Sequence, residues 1–275
     1  SGSRLAITLL AGHGEAPNEG QFRPLEVVAR PGSMFHPEPP APCFLYAWPV
    51  VQAVEAIYEA ISQALPAGVP ARSGSDQCAI VWWGKRAETG EPWADGAAHP
   101  IGLGGHVDGD GASHAMHHVA AWSRVSPVEI WEARNPWLMK KVELAPDSCG
   151  PGRHRGGLGA DMHFELLEDG YATTTLDHTR SQPSGVQGGS GGRPNRLVLR
   201  SPDGSTTQLG KATAVKIAKG STVELACGGG SGYGPPSERD PEQVRADLRE
   251  GYITEEHARR FYPHALQVEV ESSRL

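Results

Sequence analysis

Apolar residues in the stretch VVQAVEAIYEAISQAL recur at spacings of three and four. Val50, Val51, Val54, Ile57, Tyr58, Ile61 and Leu65 form one stripe, which predicts an amphipathic helix over 50–65 closed by Pro66-Ala67-Gly68. Shorter apolar runs predict strands at 5–10 and 25–29, and QCAIVWW (77–83) reads as a buried strand leading into a charged hairpin, GKRAETGEPWADG. Prolines 37, 39, 40 and 42 bar a central strand and favour an extended strap. Ser126 and Pro127 are placed to start a short helix.

Further strand patterns follow at 140–144, 160–167, 171–176, 196–200, 206–209, 214–217 and 222–227, with Asp169-Gly170 and Asp203-Gly204 as hairpin turns. Asp240-Pro241 opens a helix that runs to about Glu250 and stops at Gly251, Thr254 caps EEHARRFY, and the residues after Ala265 read as a polar tail. The expected fold class is α+β: a mainly antiparallel β-rich core, one long amphipathic helix in the N-terminal half and a C-terminal helical closing unit. The expected division is an α/β part over 1–135, with the strap and helix 50–65, and a β-rich part over 136–275.

The chain's 275 residues suffice to bury a sizeable core. With 38% hydrophobic and 21% charged residues and a formal net charge of −7, the balance does not favour nucleic acid as a partner. Apolar runs such as 43–51 are interrupted and far short of the roughly 20 residues of a membrane helix. The first residues, with His13 and Glu15 close behind a short apolar run, lack a secretory pattern. The expectation is a cytoplasmic protein with no membrane partner. Cys43, Cys78, Cys149 and Cys227 lie far apart, without a zinc-type pair, and read as free thiols. The 35 Gly and 23 Pro read as turns of a loop-rich fold.

Candidate chemistry clusters in three places. HPIGLGGHVDGDGASHAMHHVAAW brings His99, His106, His114, His117 and His118 near Asp108 and Asp110; His114 with His117 or His118 has helix-like spacing for a metal, although the glycines argue for loop and no H-E-x-x-H is present. Arg153 and Arg155, and Arg180 and Arg193, stand in glycine-rich turns that either hold an anion or simply close hairpins. GGGSGYG (228–234) is followed by Pro-Pro where a P-loop needs Lys and Ser or Thr, and it lacks dinucleotide spacing. No G-x-S-x-G elbow marks a nucleophile, and Cys149 near His154 is weak grounds for a catalytic pair.

Four islands, in order, resemble one family: NEGQFRPLEVVARPGSMFHPEPPAP (18–42), ELAPDSCGPGRHRGGLGADMHFE (143–165), SQPSGVQGGSGGRPN (181–195) and LACGGGSGYGPPSERD (225–240). This pattern is similar to the hydantoinase B family, which includes B-type subunits of ATP-dependent hydantoinases, 5-oxoprolinase, caprolactamase and the large subunits of acetone and acetophenone carboxylases. The likeness is to the C-terminal half of family chains, which are about twice as long. It implies a subunit of an ATP-dependent multi-subunit enzyme that acts on a cyclic amide or imide, or carboxylates a ketone, through a phosphorylated intermediate; the alternative is a non-catalytic assembly subunit of such a complex.

The implied partners are a hydantoinase A-type subunit that binds ATP and Mg, an N-terminal-half B-type subunit that carries the divalent metal (Zn, Mn or Fe), and a small-molecule substrate. No cofactor is expected in this chain itself. GGGSGYG is then a family loop whose glycines allow close backbone approach. Asn18, Arg23 and His114 are the candidate residues near the reaction chamber: amide hydrogen bonding, anion neutralisation and proton transfer respectively.

Overall fold

A computed structural model describes residues 2–11, 16–43, 47–75, 77–120 and 123–266; His13, Glu15 and the tail beyond Leu266 lie outside the described residues. The chain divides into two compact units, 1–69 and 70–275. The boundary expected at 135/136 falls inside the second unit, where β1 (Ile80–Lys85) pairs with β5 (Gly170–Thr175) across it.

In the first unit, α1 (Gly2–Ala11) packs on α3 (Ala47–Ser62), with α2 (Glu19–Phe22) between them in sequence. The predicted helix over 50–65 is α3. Its stripe buries Val51, Val54 and Tyr58, and a 3-10 turn at Pro66–Gly68 follows its end. Burial, with the Glu55 carboxylate beside it, pushes the Tyr58 phenol up.

The strand expected at 5–10 is instead the body of α1. Five apolar residues and Thr8 fix no period, Ala and Leu favour helix, and fully buried Ala6 and close-packed Gly2 supply the contact with α3. The segment 25–29 is extended but pairs with no strand, and Val28 is 85% exposed. The proline-rich stretch forms exposed turns with a small bridge between Ser33 and His36.

The second unit holds two antiparallel sheets. One has the order β2-β1-β5-β8, with β2 (Pro92–Ala97) and β8 (Lys211–Ile217); the other is β3-β4-β9-β6-β7, from β3 (Trp137–Leu144), β4 (Ala160–Leu166), β9 (Thr222–Ala226), β6 (Arg196–Arg200) and β7 (Thr206–Leu209). Strict alternation in β4 buries Ala160, Met162, Phe164 and Leu166, each large side chain contributing roughly 1.5–3 kcal/mol. Trp137 joins this core, 5.3 Å from Trp82 and 5.1 Å from Phe164 between ring centroids.

Gly84 and Gly170 are directly opposite each other on β1 and β5, and the Trp93 ring covers both; a Cβ at either would fall under 3.0 Å from it. The 77–83 run is not buried throughout: β1 begins at Ile80 and alternates. Asp203-Gly204 makes the β6–β7 hairpin, whereas Asp169-Gly170 carries the chain from one sheet to the other.

Helix α4 (Val128–Arg134) has Pro127 rather than Ser126 at its N-cap. At the C-terminal end, Asp240 accepts from the Glu242 N–H at 2.9 Å to cap α5 (Pro241–Arg249), and Thr254 Oγ1 accepts from His257 at 3.2 Å to cap α6 (Glu255–Phe261). These helices and α7 (Pro263–Leu266) close over a second apolar cluster of Cys149, Leu158, Val244, Ile253, Ala258, Tyr262 and Ala265.

Candidate functional site

The glycine-rich segments of the second unit meet in one bundle. Residues 228–234 are all buried yet form neither helix nor strand, and their neighbours change at every position. Gly229 N donates to Arg193 O (3.1 Å), Gly230 N to Gly157 O (2.9 Å), Ser231 N to Arg72 O (2.8 Å) and Gly232 N to Ser190 O (2.9 Å). The segment around Leu103 behaves alike: Gly102 N bonds Gly228 O (2.9 Å), Leu103 N bonds Ala112 O (2.9 Å) and Gly105 N bonds Ser231 O (2.8 Å). A strand has two hydrogen-bonded neighbours; these extended chains turn their N–H and C=O groups to several, as threefold polyproline-type helices do in a bundle.

Only glycine permits the spacing. A Cβ on Gly230 would lie well under 3.0 Å from Leu103 O, and the same holds for Gly104 against Ala71 O and Gly156 against Gly230 O. Tyr233 N and Gly234 N donate to His154 O and Val186 O, so the N–H groups from Gly229 to Gly234 are all spent on protein carbonyls and leave none to cradle a phosphate.

Four charged side chains join this bundle to the C-terminal helices. Arg239, 1% exposed, donates from Nη1 and Nη2 to both oxygens of Asp110 at 2.7 Å and from Nη2 to Asp247 Oδ2 at 2.7 Å. Arg155 Nε donates to Asp247 Oδ1 at 3.0 Å, and its backbone N–H to Asp110 Oδ1 at 2.9 Å. The quartet is neutral in sum. Burial pushes the Asp110 carboxyl up, but the hydrogen bond and charge of Arg239, with Arg155 behind it, hold it below the usual carboxylate range. The Tyr252 and Tyr262 rings face Arg155 and Arg239 at 5.2 and 5.9 Å.

Arg155 is therefore committed within the fold. Arg193 is also engaged, with the Ala160 and Cys227 carbonyls and Asp161; Arg153 lies 3.8 Å from Glu238, and Arg180 is exposed. Burial, more than any nearby charge, pushes the Cys149 thiol up to about 12, leaving it a neutral packing group.

The histidines do not form the helix face that their spacing allowed. His114 takes a left-handed backbone conformation (φ 48°), and its N–H donates to Leu158 O at 2.9 Å. His117 and His118 lie with ring centroids 4.4 Å apart at the start of a 3-10 turn. His99 is fully buried against Trp131 and Phe164, neither ring nitrogen has a partner among the described residues, and burial together with the His114 charge pushes it down to about 3. Burial also lowers His114, whose Nδ1 has no partner among the described residues, so both rings are neutral at pH 7. Among the described residues no three His, Cys, Asp or Glu side chains come together to hold a metal.

Asn18 and Arg23 belong to the first unit and His114 to the second. Asn18 caps α2: its Oδ1 accepts from Gly20 N (2.9 Å) and Gln21 N (3.3 Å), and Gln21 Oε1 accepts from Asn18 N (3.2 Å). That leaves its Nδ2 for other work. Arg23 is exposed, with its guanidinium unpartnered among the described residues. Sequence reasoning missed Asn195, which accepts from Cys78 Sγ and Gly228 N at its Oδ1 and donates to the Gly74 and Asp177 carbonyls at 2.9 and 3.0 Å. It also missed Asp247 and Arg239. The partners are brought together by topology, over sequence separations as large as 129, and no local motif marks them.

A family model described as hydantoinase B/oxoprolinase matches residues 1–236. The chain belongs to this family. It is 30% identical over 245 residues to a protein of Pseudomonas sp. (strain NS671) named as the B-type component of a D-/L-hydantoinase, a match covering 88% of this chain and 40% of that relative. Its fold resembles that of the ATP-dependent caprolactamase from Pseudomonas jessenii, with TM-score 0.78 and 24% identity over 94% of this chain and 46% of the other. A nucleotide-free acetone carboxylase structure is similar at TM-score 0.65 and 20% identity, over 78% of this chain and 34% of that one. The chain thus spans less than half the length of these hydantoinase B-type relatives. No helix among the described residues is long and apolar enough to cross a membrane.

Proposed function

We propose that the chain is the C-terminal half of a hydantoinase B-type component in an ATP-dependent multi-subunit enzyme, which hydrolyses a cyclic amide or imide or carboxylates a ketone through a phosphorylated intermediate. The observation that carries this reading is the family match across residues 1–236, with relatives named for those chemistries. An A-type partner takes up ATP with Mg and phosphorylates the substrate oxygen. The N-terminal half of the B-type fold supplies the divalent metal.

This chain's part is to help complete the chamber. In the first unit the Arg23 guanidinium, unpartnered among the described residues, neutralises an anionic intermediate and Asn18 Nδ2 donates to a substrate oxygen; in the second unit neutral His114 moves a proton. The experiment is turnover of the assembled complex on a lactam, an imide and a ketone substrate. Arg23→Ala slows turnover at least tenfold; near-normal activity in that variant retires the assignment.

Exposed Met34 and Phe35 in the proline-rich strap favour a second reading, a non-catalytic assembly component whose apolar turns contact a partner. In that case Arg23→Ala and His114→Gln leave turnover unchanged, while polar replacements at Met34 and Phe35 prevent the complex from forming.

A further inference from the structure

A cavity of about 660 Å³ lies along strand β2 and the approach to helix α4, a volume suited to a small molecule. Gln77 lines it: the residue is only 4% exposed, and its Nε2 has no hydrogen-bond partner among the described residues. A buried amide N–H normally finds an acceptor, so this one is a donor awaiting a ligand.

Asp95, also in the wall, is held in a fixed orientation. Asn135 Nδ2 donates to Asp95 Oδ2 at 2.7 Å and to the Trp131 carbonyl at 3.2 Å, and Gly96 N donates to Asp95 Oδ1 at 2.8 Å. Each carboxylate oxygen keeps a lone pair free to accept from a ligand. Arg124 and Arg134 line the same cavity with exposed guanidiniums that pair with no acceptor among the described residues, and Arg86 Nη2 anchors the Arg134 carbonyl at 2.8 Å. Trp131 gives an apolar wall, stacked on Trp137 at 5.7 Å.

We propose that this cavity binds a small organic carboxylate that also carries an N–H group. The Arg134 guanidinium takes the carboxylate, Gln77 Nε2 donates to an oxygen of the ligand, and Asp95 accepts the ligand's N–H. Two guanidiniums and an orphan amide donor call for acceptors, while one pre-oriented carboxylate calls for a donor; a purely anionic or purely cationic ligand would satisfy only one side. The site uses none of Asn18, Arg23 and His114, and it stands whether or not the chain works in the proposed complex.

The test is titration of the full chain with N-acetylglycine, followed by tryptophan fluorescence because Trp131 forms a wall, with calorimetry as a second readout. The parent saturates. N-acetylglycine methyl ester, which lacks the carboxylate, binds at least tenfold more weakly, and so does N-acetylglycine to Arg134→Ala; Arg249→Ala, at the end of α5, binds like the parent. Gln77→Glu, which keeps the shape but replaces the donor with an acceptor, also loses at least tenfold, and exposed Arg134 keeps the test decisive where a change at buried Gln77 disturbs folding. Absence of saturation, or equal affinity in the parent and Arg134→Ala, overturns the proposal. Either result can coexist with normal turnover of the complex, so failure here and failure of the proposed function are told apart.

Discussion

Within the second unit, the two sheets and the glycine bundle solve the same problem by opposite means. The sheets gain stability from what their side chains bury: Trp82, Trp137, Phe164 and Leu166 interdigitate, and the backbone bonds follow a regular ladder. The bundle gains it from side chains that are missing, because Gly104, Gly156 and Gly230 let carbonyls of neighbouring segments approach where a Cβ would otherwise stand. One region therefore tolerates apolar replacement of similar volume, and the other tolerates no added carbon at all. The difference teaches that this chain's glycine runs are a core laid down in backbone.

The hardest way to break that contrast is Gly230→Ala. The new methyl group meets Leu103 O, a backbone atom that cannot swing aside, so the expected outcome is a chain without cooperative unfolding, checked by thermal melting followed by circular dichroism. A transition close to the parent's would mean that the segments are not packed as described.

The next effect in size comes from the joint between bundle and helices. Arg239→Ala leaves buried Asp247 and half-buried Asp110 with Arg155 as their remaining partner, which should cost about 3–5 kcal/mol in denaturant unfolding at neutral pH. Asp110 then lacks its main counter-charge and takes up a proton more readily, so the gap between variant and parent should narrow as pH falls. A gap that stays constant with pH would point to lost packing alone.

How much of this was legible in the sequence differs between the same two regions. The long helix and strand β4 could be read because each repeats its own period: Val51, Val54 and Tyr58 at helical spacing, Met162, Phe164 and Leu166 at alternate positions. The run at 5–10 could not, since five apolar residues and one threonine fit either element and contact with α3 decided between them. The bundle carries no period. Its glycines announce close approach, but which segments approach depends on contacts among at least six stretches of chain, and Asn195 or Arg239 acquire their partners only there. Of the candidate site, Asn18 is a helix cap, and the histidine cluster holds one buried and one half-buried neutral ring, His99 and His114, neither of which spacing alone could reveal.

Acid should separate the regions at different pH. His99 sits against Phe164 in the sheet region with its folded pKa near 3, against an ordinary value of 6.5. Its unfolded form therefore binds a proton that the folded form refuses. The stability it contributes is complete above pH 6.5 and is lost as pH falls from there toward 3, by about 1.4 kcal/mol per unit at most. The lowered His114 adds a contribution of the same sign, while Asp110 gives way only below the usual carboxylate range. Denaturant midpoints between pH 6.5 and 4.5 should fall in the parent and fall less steeply in His99→Phe; parallel slopes would remove His99 as the cause.

The finest distinction is between glycines themselves. Gly204, in the β6–β7 turn, has φ 85° and nothing within 4 Å of a would-be Cβ, so it is required for its backbone angle and not for space. Gly204→Ala should then cost only about 1 kcal/mol, the ordinary penalty of a left-handed residue, and Gly204→Asn less, because asparagine tolerates that conformation. At Gly230 the order of the two substitutions reverses: the larger asparagine must be at least as damaging as alanine, since both carry the forbidden Cβ. Thermal shifts for the four variants would show whether the two kinds of glycine are separate in energy as they are in geometry. If asparagine rescued Gly230 as it does Gly204, the bundle would be held by its dihedral angles and not by the close approach of its chains.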